Sequence, residues 1–358
     1  MNLPMAPTLP MAPGGEAPAP LSPGEIEALQ SEVRELAVER RAVILAHNYQ
    51  VPEVQQVADY VGDSLGLSRR AAAAEGETIV FCGVHFMAET ASILCPEKTV
   101  LIPDLDAGCS LAASIDAEQL AAWRAEYPRG VVVMYVNTTA EVKALTDYCC
   151  TSGNAVEVVR HIYETHGEDT EILFGPDMWL GAYVEKELGR RMHVWDGECH
   201  VHAGIRPADI EATRAAHPDA DFLIHPECGC STSVMEYVAA GDISPEGVRM
   251  LSTGGMLAYA EEAEREELEH DGAHAGVQPG HRREAVVATE VGMLYPLRMA
   301  APDIDFIPAN PRASCVYMKM ITLPKLRDAL RDMKFEVRVP EEIAARARVP
   351  IDRMVAIG

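Results

Sequence analysis

One pattern occurs three times along the chain, and this repetition restricts the possible folds more than any other feature. Three apolar runs end in polar side chains: Val43-Ile44-Leu45-Ala46-His47-Asn48-Tyr49, Val131-Val132-Val133-Met134-Tyr135-Val136-Asn137 and Phe222-Leu223-Ile224-His225-Pro226-Glu227. Runs of this kind read as buried strands, and a helix is predicted before each, over 24–40, 116–126 and 207–216. A hydroxyl then follows in each copy. Ser64 comes fifteen residues after Tyr49 and Ser152 fifteen after Asn137, while Ser252 and Thr253 follow a longer turn in the third copy. Further strands are expected over 78–84, 171–175 and 284–289, helices from near His85, Met178 and Val291, and short last strands over 99–103, 192–195 and 304–308. Each copy closes on a cysteine: Cys109, Cys199 and Cys315.

Alternating β and α text of this kind builds parallel sheets covered by helices. The expected fold class is therefore α/β: three homologous three-layer αβα domains with small parallel sheets, packed around a pseudo-three-fold axis. The competing arrangement is one long doubly wound sheet. The domains are drawn at 24–115, 116–206 and 207–322, the last with an insertion over 261–283. A disordered tail is expected over 1–23, and a C-terminal helix and tail over 323–358. Polar residues at the carboxyl ends of parallel strands face one side of each sheet. Packing around an axis would gather them, with the three cysteines, over one cavity.

Composition narrows the function. The 358 residues are 48% hydrophobic, enough for more than one core. A net charge of −25 argues against nucleic acid, which needs a basic stripe. No run approaches eighteen apolar residues, so no membrane span is expected. The first residues lack a basic start and a continuous apolar core, so they do not read as a secretory signal, and a cytoplasmic location is expected. Nine cysteines in a chain without such a signal argue against disulfides and favour metal binding or catalysis for the positioned thiols.

Three thiolates from distant loops suit a [4Fe–4S] cluster held at three of its four irons. Such a cluster keeps one iron free to act as a Lewis acid on a substrate oxygen or water. Zinc is the rival metal, although its ligands usually come in closely spaced pairs. Cys149, Cys150, Cys228 and Cys230 are read as buried packing thiols, and Cys82 and Cys95 as structural ones. His225 and Glu227 at a strand end could supply acid–base groups, because buried carboxylates need partners. His47 and Tyr49 admit either a hydrogen-bonded core role or a place at the substrate. Ser64, Ser152 and Thr253 admit either helix caps or, with helix N–H groups, anion binders. His202 lies close to Cys199 and is read as catalytic or structural.

Several strings together resemble the quinolinate synthase family. They are Ala46-His47-Asn48-Tyr49-Gln50, Gly62-Asp63-Ser64-Leu65, Val84-His85-Phe86-Met87-Ala88-Glu89-Thr90 and Pro103-Asp104-Leu105-Asp106-Ala107-Gly108-Cys109-Ser110-Leu111. Tyr135-Val136-Asn137-Thr138, Cys149-Cys150-Thr151-Ser152, His225-Pro226-Glu227-Cys228 and Met318-Lys319-Met320-Ile321-Thr322-Leu323 continue the likeness. The resemblance implies three αβα domains and the condensation of iminoaspartate with dihydroxyacetone phosphate to quinolinate, for NAD biosynthesis. Phosphate and two waters are lost, and an oxygen-sensitive [4Fe–4S] cluster would sit on Cys109, Cys199 and Cys315. His47, Tyr49, Tyr135, Asn137, His225 and Glu227 would surround the substrates, with Ser64, Ser152 and Thr253 holding carboxylate or phosphate. Tyr49, Glu227 and His202 are the expected proton-transfer groups. A transient contact with an aspartate-oxidising enzyme would supply the unstable iminoaspartate.

Overall fold

The computed structural model describes residues 21–240, 247–271 and 282–358. The expected disordered tail as far as residue 20, and 272–281 of the expected insertion, lie outside the described residues.

Three small all-parallel sheets organise the chain. The first contains β1 (Ala42–His47), β2 (Tyr60–Gly62), β3 (Thr78–Cys82) and β4 (Thr99–Leu101), in the order β2-β1-β3-β4. The second contains β5 (Val131–Tyr135), β6 (Tyr148–Cys150), β7 (Ile172–Gly175) and β8 (His193–Val194), in the order β6-β5-β7-β8. The third, β9 (Asp221–Ile224), β10 (Val248–Met250), β11 (Glu284–Ala288) and β12 (Asp305–Pro308), repeats the scheme as β10-β9-β11-β12. Three identical strand orders are the three-module α/β fold expected from the repeat, not one long sheet.

Helices carry the crossovers. In the first module α1 (Pro23–Glu39) enters the sheet, and the short α2 (Pro52–Gln55), α3 (Ser64–Ala73) and α4 (His85–Leu94) join its strands. The second uses α5 (Ala117–Glu126), the short α6 (Ala140–Lys143), α7 (Ala155–His166) and α8 (Met178–Leu188). The third uses α9 (Pro207–Ala216), α10 (Ser231–Ala240), α11 (Thr253–Asp271) and α12 (Leu294–Ala300). Local sequence starts these helices. Ser22 and Glu25 form a reciprocal capping box on α1, and Asp116 and Gln119 do the same on α5.

The central strands are covered on both faces, as parallel sheets require: all five residues of β3 are buried. In the second module Val132, Met134 and Leu173 pack with Ile115, Leu120 and Val142, each nearly or fully excluded from water. Burying one such side chain stabilises by roughly 1.5–3 kcal/mol.

The chain divides into two compact units. One comprises 1–199 with 315–358, and the other comprises His200–Ser314. The first holds two sheets and is completed by the C-terminal segment. That segment forms two helices, α13 (Leu323–Asp332) and α14 (Glu341–Ala356), where one helix and a tail were expected. Helix α13 buries Leu323, Leu326, Ala329 and Leu330, and its Arg327 reaches Glu32 of α1 at 3.1 Å. Helix α14 spans both modules: Arg348 donates to the Leu94 carbonyl at 2.9 Å, and Asn154 Nδ2 donates to the Met354 carbonyl at 3.0 Å.

Within the second unit, Arg283 binds Asp221 Oδ2 at 2.8 Å and the Tyr259 hydroxyl donates to the same carboxylate. The expected insertion differs from the structure at its start, because 261–271 continue α11 as regular helix. Nothing in that acidic stretch breaks a helix, since it contains neither proline nor glycine before Gly272.

Candidate active site

The three repeat-closing cysteines differ from the remaining thiols. Seven cysteines form no disulfide, and only Cys109, Cys199 and Cys315 among them are partly exposed; Cys82, Cys95, Cys149 and Cys150 are buried. Burial pushes the Cys149 thiol up to about 12, with Lys143 opposing it, and raises Cys150 further still. Those two stay protonated and serve packing, as expected. All three partly exposed thiols belong to the first unit, and Cys199 and Cys315 are the residues at which the chain leaves and re-enters it. Tyr317 lies within electrostatic range of two of them. Burial raises its hydroxyl pKa first, and the thiols of Cys315 and Cys109 raise it further. The Ala112 N–H donates to Cys109 Sγ at 3.5 Å.

This donor set fits an iron–sulfur cluster better than it fits structural cysteines. Soft thiols from separate loops, each open to entry, are the ligands such clusters use.

The first unit also carries the polar ends of β1 and β5. His47 and Tyr49 are buried, with ring centroids 4.6 Å apart in an edge arrangement, and the Tyr49 N–H approaches His47 Nδ1 at 3.2 Å. Lys319 donates to the Tyr49 carbonyl. Tyr135 ends β5, with Asn137 two residues beyond. The Asn137 Oδ1 is buried without a hydrogen-bond partner among the described residues.

None of the three hydroxyls stands at an N-cap, because neighbouring residues occupy those positions. Asp63 caps α3, accepting the Gly66 N–H at 2.8 Å, and Ser64 is the first helical residue. Asn154 stands at the N-cap of α7, two residues after Ser152. Ser252 Oγ accepts the Gly255 N–H at 3.2 Å, which leaves Thr253 as the first residue of α11. Thr253 is buried, while Ser64 and Ser152 are half-buried.

The second unit contains a buried carboxyl–imidazole group. Glu227 Oε2 lies 3.2 Å from His202 Nδ1, and its Oε1 lies 3.7 Å from His225 Nδ1. The first is a close approach, not an aligned hydrogen bond. His202 Nε2 is 2.9 Å from Thr289 Oγ1, and the two imidazoles stack at 4.7 Å. All three side chains are at most 4% exposed. Burial lowers the His225 pKa to about 3, with Glu227 pulling against it and His202 adding to it, so this ring is neutral at ordinary pH. A carboxyl group between two imidazoles is an arrangement that can pass protons.

One expectation is overturned here. Cys228 and Cys230 are buried, but they are joined as a disulfide and are not separate packing thiols. Gly229 between them lets the backbone turn tightly. An added Cβ there would sit 3.0 Å from the Ala203 carbonyl oxygen. The Cα separation of 5.1 Å lies within the range that a disulfide bridges.

Two residues escaped the sequence reading. Asn48 is fully buried, and neither amide atom finds a partner among the described residues. Its place between His47 and Tyr49 was the available signal. Lys143 is fully buried beside the second module's strand ends, although lysine ordinarily stays in water.

Parallel modules that end in reactive side chains, with accessible thiols and a buried carboxylate–imidazole group, define an α/β enzyme. The family model described as Quinolinate synthetase A protein matches residues 31–270 and 272–356. A quinolinate synthase of Thermus thermophilus is 55% identical over 332 residues, covering 93% of this chain and 98% of its own length. Quinolinate synthases of Mycobacterium leprae and Mycobacterium tuberculosis are each 54% identical over 333 residues, covering 93% of this chain and 89% of their own length. The chain belongs to the quinolinate synthase family.

Proposed function

We propose that this chain condenses iminoaspartate with dihydroxyacetone phosphate to form quinolinate, releasing phosphate and two waters in NAD biosynthesis. Family membership supports the reaction. The observation that carries the cofactor assignment is the selective exposure of Cys109, Cys199 and Cys315 among the cysteines outside the disulfide. These three would hold a [4Fe–4S] cluster. When bound, such a cluster supplies a Lewis acid at the iron that no cysteine occupies, without net redox change.

The remaining chemistry belongs to side chains. Ser64, Ser152 and Thr253, which lie outside the N-cap positions of Asp63, Asn154 and Ser252, bind the substrate carboxylates and phosphate together with helix N–H groups. His47, Tyr135, Asn137 and His225 orient the substrates by hydrogen bonding. His225 does so as a neutral ring, so its contribution is directional and not ionic. Glu227 and His202 move protons during dehydration and ring closure, and the Tyr49 phenol is the third group able to do so. Thr289 fixes His202 from the far nitrogen. Iminoaspartate hydrolyses readily in water, so delivery by a transient contact with an aspartate-oxidising enzyme fits this reading, as does a cytoplasmic location. Among the described residues no helix is long and apolar enough to cross a membrane.

Anaerobic purification followed by an iron and sulfide count, a visible spectrum and an assay with both substrates tests the proposal. Four irons per chain with quinolinate formation is the expected result. Bound zinc without visible charge-transfer absorbance, or turnover of neither substrate, removes it.

A further inference from the structure

The turn that carries Tyr49 is held from two directions, one inside its own module and one from far along the chain. Inside the module, Gln55 Nε2 donates to the carbonyls of Asn48 and Gln50 at 3.1 and 2.8 Å. The second module repeats this device. The Asn48 N–H bonds the Gly62 carbonyl at 3.0 Å and the Val136 N–H bonds the Cys150 carbonyl at 2.8 Å, which makes the two residues equivalent. Seven positions beyond them stand Gln55 and Lys143, and Lys143 donates to the Thr138 carbonyl as Gln55 does to that of Gln50. The buried lysine is thereby part of the fold.

Tyr49 has a further support. Lys319 Nζ donates to its carbonyl across 270 residues of sequence. Beside that contact Gln50 Nε2 approaches Met318 Sδ at 3.6 Å, and both side chains are buried. Met318 and Lys319 lie in one short 3₁₀ turn, Met318–Met320, just after Cys315. The Lys319 N–H donates to the Cys315 carbonyl at 3.1 Å. One residue therefore joins the Tyr49 turn to the Cys315 loop, by its side chain at one end and its backbone at the other. The N–H of Tyr49 meets His47 Nδ1 at 3.2 Å, so both backbone polar groups of this residue are engaged.

We propose that Lys319 is a positioning residue, which sets the Tyr49 phenol relative to the loop of Cys315. The proposal rests on the reading above of Tyr49 as a proton-transfer group and Cys315 as a cluster ligand. The main chain of Tyr49 decides where its phenol oxygen can stand. A proton-transfer group must lie within hydrogen-bond reach of its partner, and a displacement of about 1 Å costs about a hundredfold in rate. A charged donor suits the task, because its bond to a carbonyl is shorter and stronger than that of a neutral amide. Lys319 acts through Tyr49 and touches no reacting atom.

The test compares Lys319→Met and Lys319→Arg with the parent chain, each prepared anaerobically, with rates expressed per cluster. Lys319→Met keeps the apolar stem and removes the donor, whereas Lys319→Arg keeps a charged donor. Lys319→Met should lower kcat about ten- to a hundredfold with KM within about twofold, and Lys319→Arg should recover most of the loss. In a Tyr49→Phe background the same Lys319→Met change should alter kcat by less than about twofold, because the group it positions has gone. A merely structural lysine lowers kcat by one factor in both backgrounds, and a substrate-binding lysine raises KM in both. Either result overturns the proposal. Tyr49 labelled as 3-fluorotyrosine in the full chain gives a readout that needs no turnover. Its fluorine resonance should broaden or shift in Lys319→Met and return in Lys319→Arg, and an unchanged resonance also overturns the proposal. A parent chain that forms no quinolinate, or a Tyr49→Phe enzyme with parental turnover, removes the functional reading instead, and the fluorine resonance still decides whether Lys319 holds Tyr49.

Discussion

His202 has a neighbour at each ring nitrogen: Nδ1 stands 3.2 Å from Glu227 Oε2, and Nε2 is hydrogen-bonded at 2.9 Å to Thr289 Oγ1. With the ring set between a carboxyl group and a hydroxyl, a proton passing between Glu227 and His202 has a short path. Glu227→Gln keeps the shape and removes the group that can take and give a proton. It should lower the turnover of quinolinate formation by roughly 10²–10⁴-fold, the usual worth of a general acid–base group, with the visible cluster spectrum intact. Thr289→Val should cost less, because it frees the ring without removing it. A Glu227→Gln enzyme with parental turnover would exclude proton transfer at this residue.

The pH dependence of stability follows from His225. Its pKa in the fold is about 3, against about 6.5 for an exposed histidine. Above pH 6.5 both folded and unfolded chains carry the neutral ring, and this residue contributes no pH dependence. Between 6.5 and about 3 the unfolded chain binds the proton more readily, so stability falls as pH falls through that window. The full effect is on the order of a few kcal/mol. His225→Asn should flatten the acid limb of a urea-midpoint-against-pH curve, and equal slopes for parent and variant would show that His225 is not the group responsible.

The fold was legible wherever short-range chemistry governs it. Apolar runs of three to six residues followed by His47, Asn137 or His225 read as buried parallel strands, and the structure places β1, β5 and β9 there. Other features were hidden for physical reasons. Asp63 and Ser64 are adjacent, and either side chain could cap α3; only the backbone geometry selects Asp63. The Cys228–Cys230 disulfide leaves no trace in the cysteine count, because it depends on a turn at Gly229 that brings two near neighbours together. Arg327 meeting Glu32 across 295 residues leaves no local trace in either segment. Lys143 carries no sequence mark distinguishing it from a surface lysine, since its burial comes wholly from tertiary packing.

The cysteines divide into two predicted classes. Replacing Cys109, Cys199 or Cys315 with serine should abolish stoichiometric iron and sulfide, since a hydroxyl is a poor ligand for a soft cluster. Cys149→Ala should leave the iron count unchanged, because that thiol is fully buried and held protonated. It should instead cost roughly 1 kcal/mol through lost packing. Full iron content in a Cys315→Ser protein would remove Cys315 from the ligand set.

Asp63 and Ser64 offer the sharpest separation of fold from function, because they are neighbours with different tasks. The Asp63 carboxylate accepts the Gly66 N–H at 2.8 Å and so closes the first turn of α3. Asp63→Ala leaves that N–H without its cap and should cost about 1 kcal/mol of stability. Ser64 is already inside the helix, where its backbone carbonyl takes the Ser68 hydroxyl at 2.7 Å and its own hydroxyl does no capping. Ser64→Ala should therefore shift the urea midpoint very little. If the hydroxyl binds a substrate carboxylate or phosphate, the same change should raise KM about tenfold, the loss expected for one hydrogen bond to a charged group. Thermal unfolding measured beside steady-state kinetics reads both effects on the same preparations. A Ser64→Ala protein that unfolds early and keeps its KM would return this hydroxyl to a structural role and leave anion binding to Ser152 and Thr253.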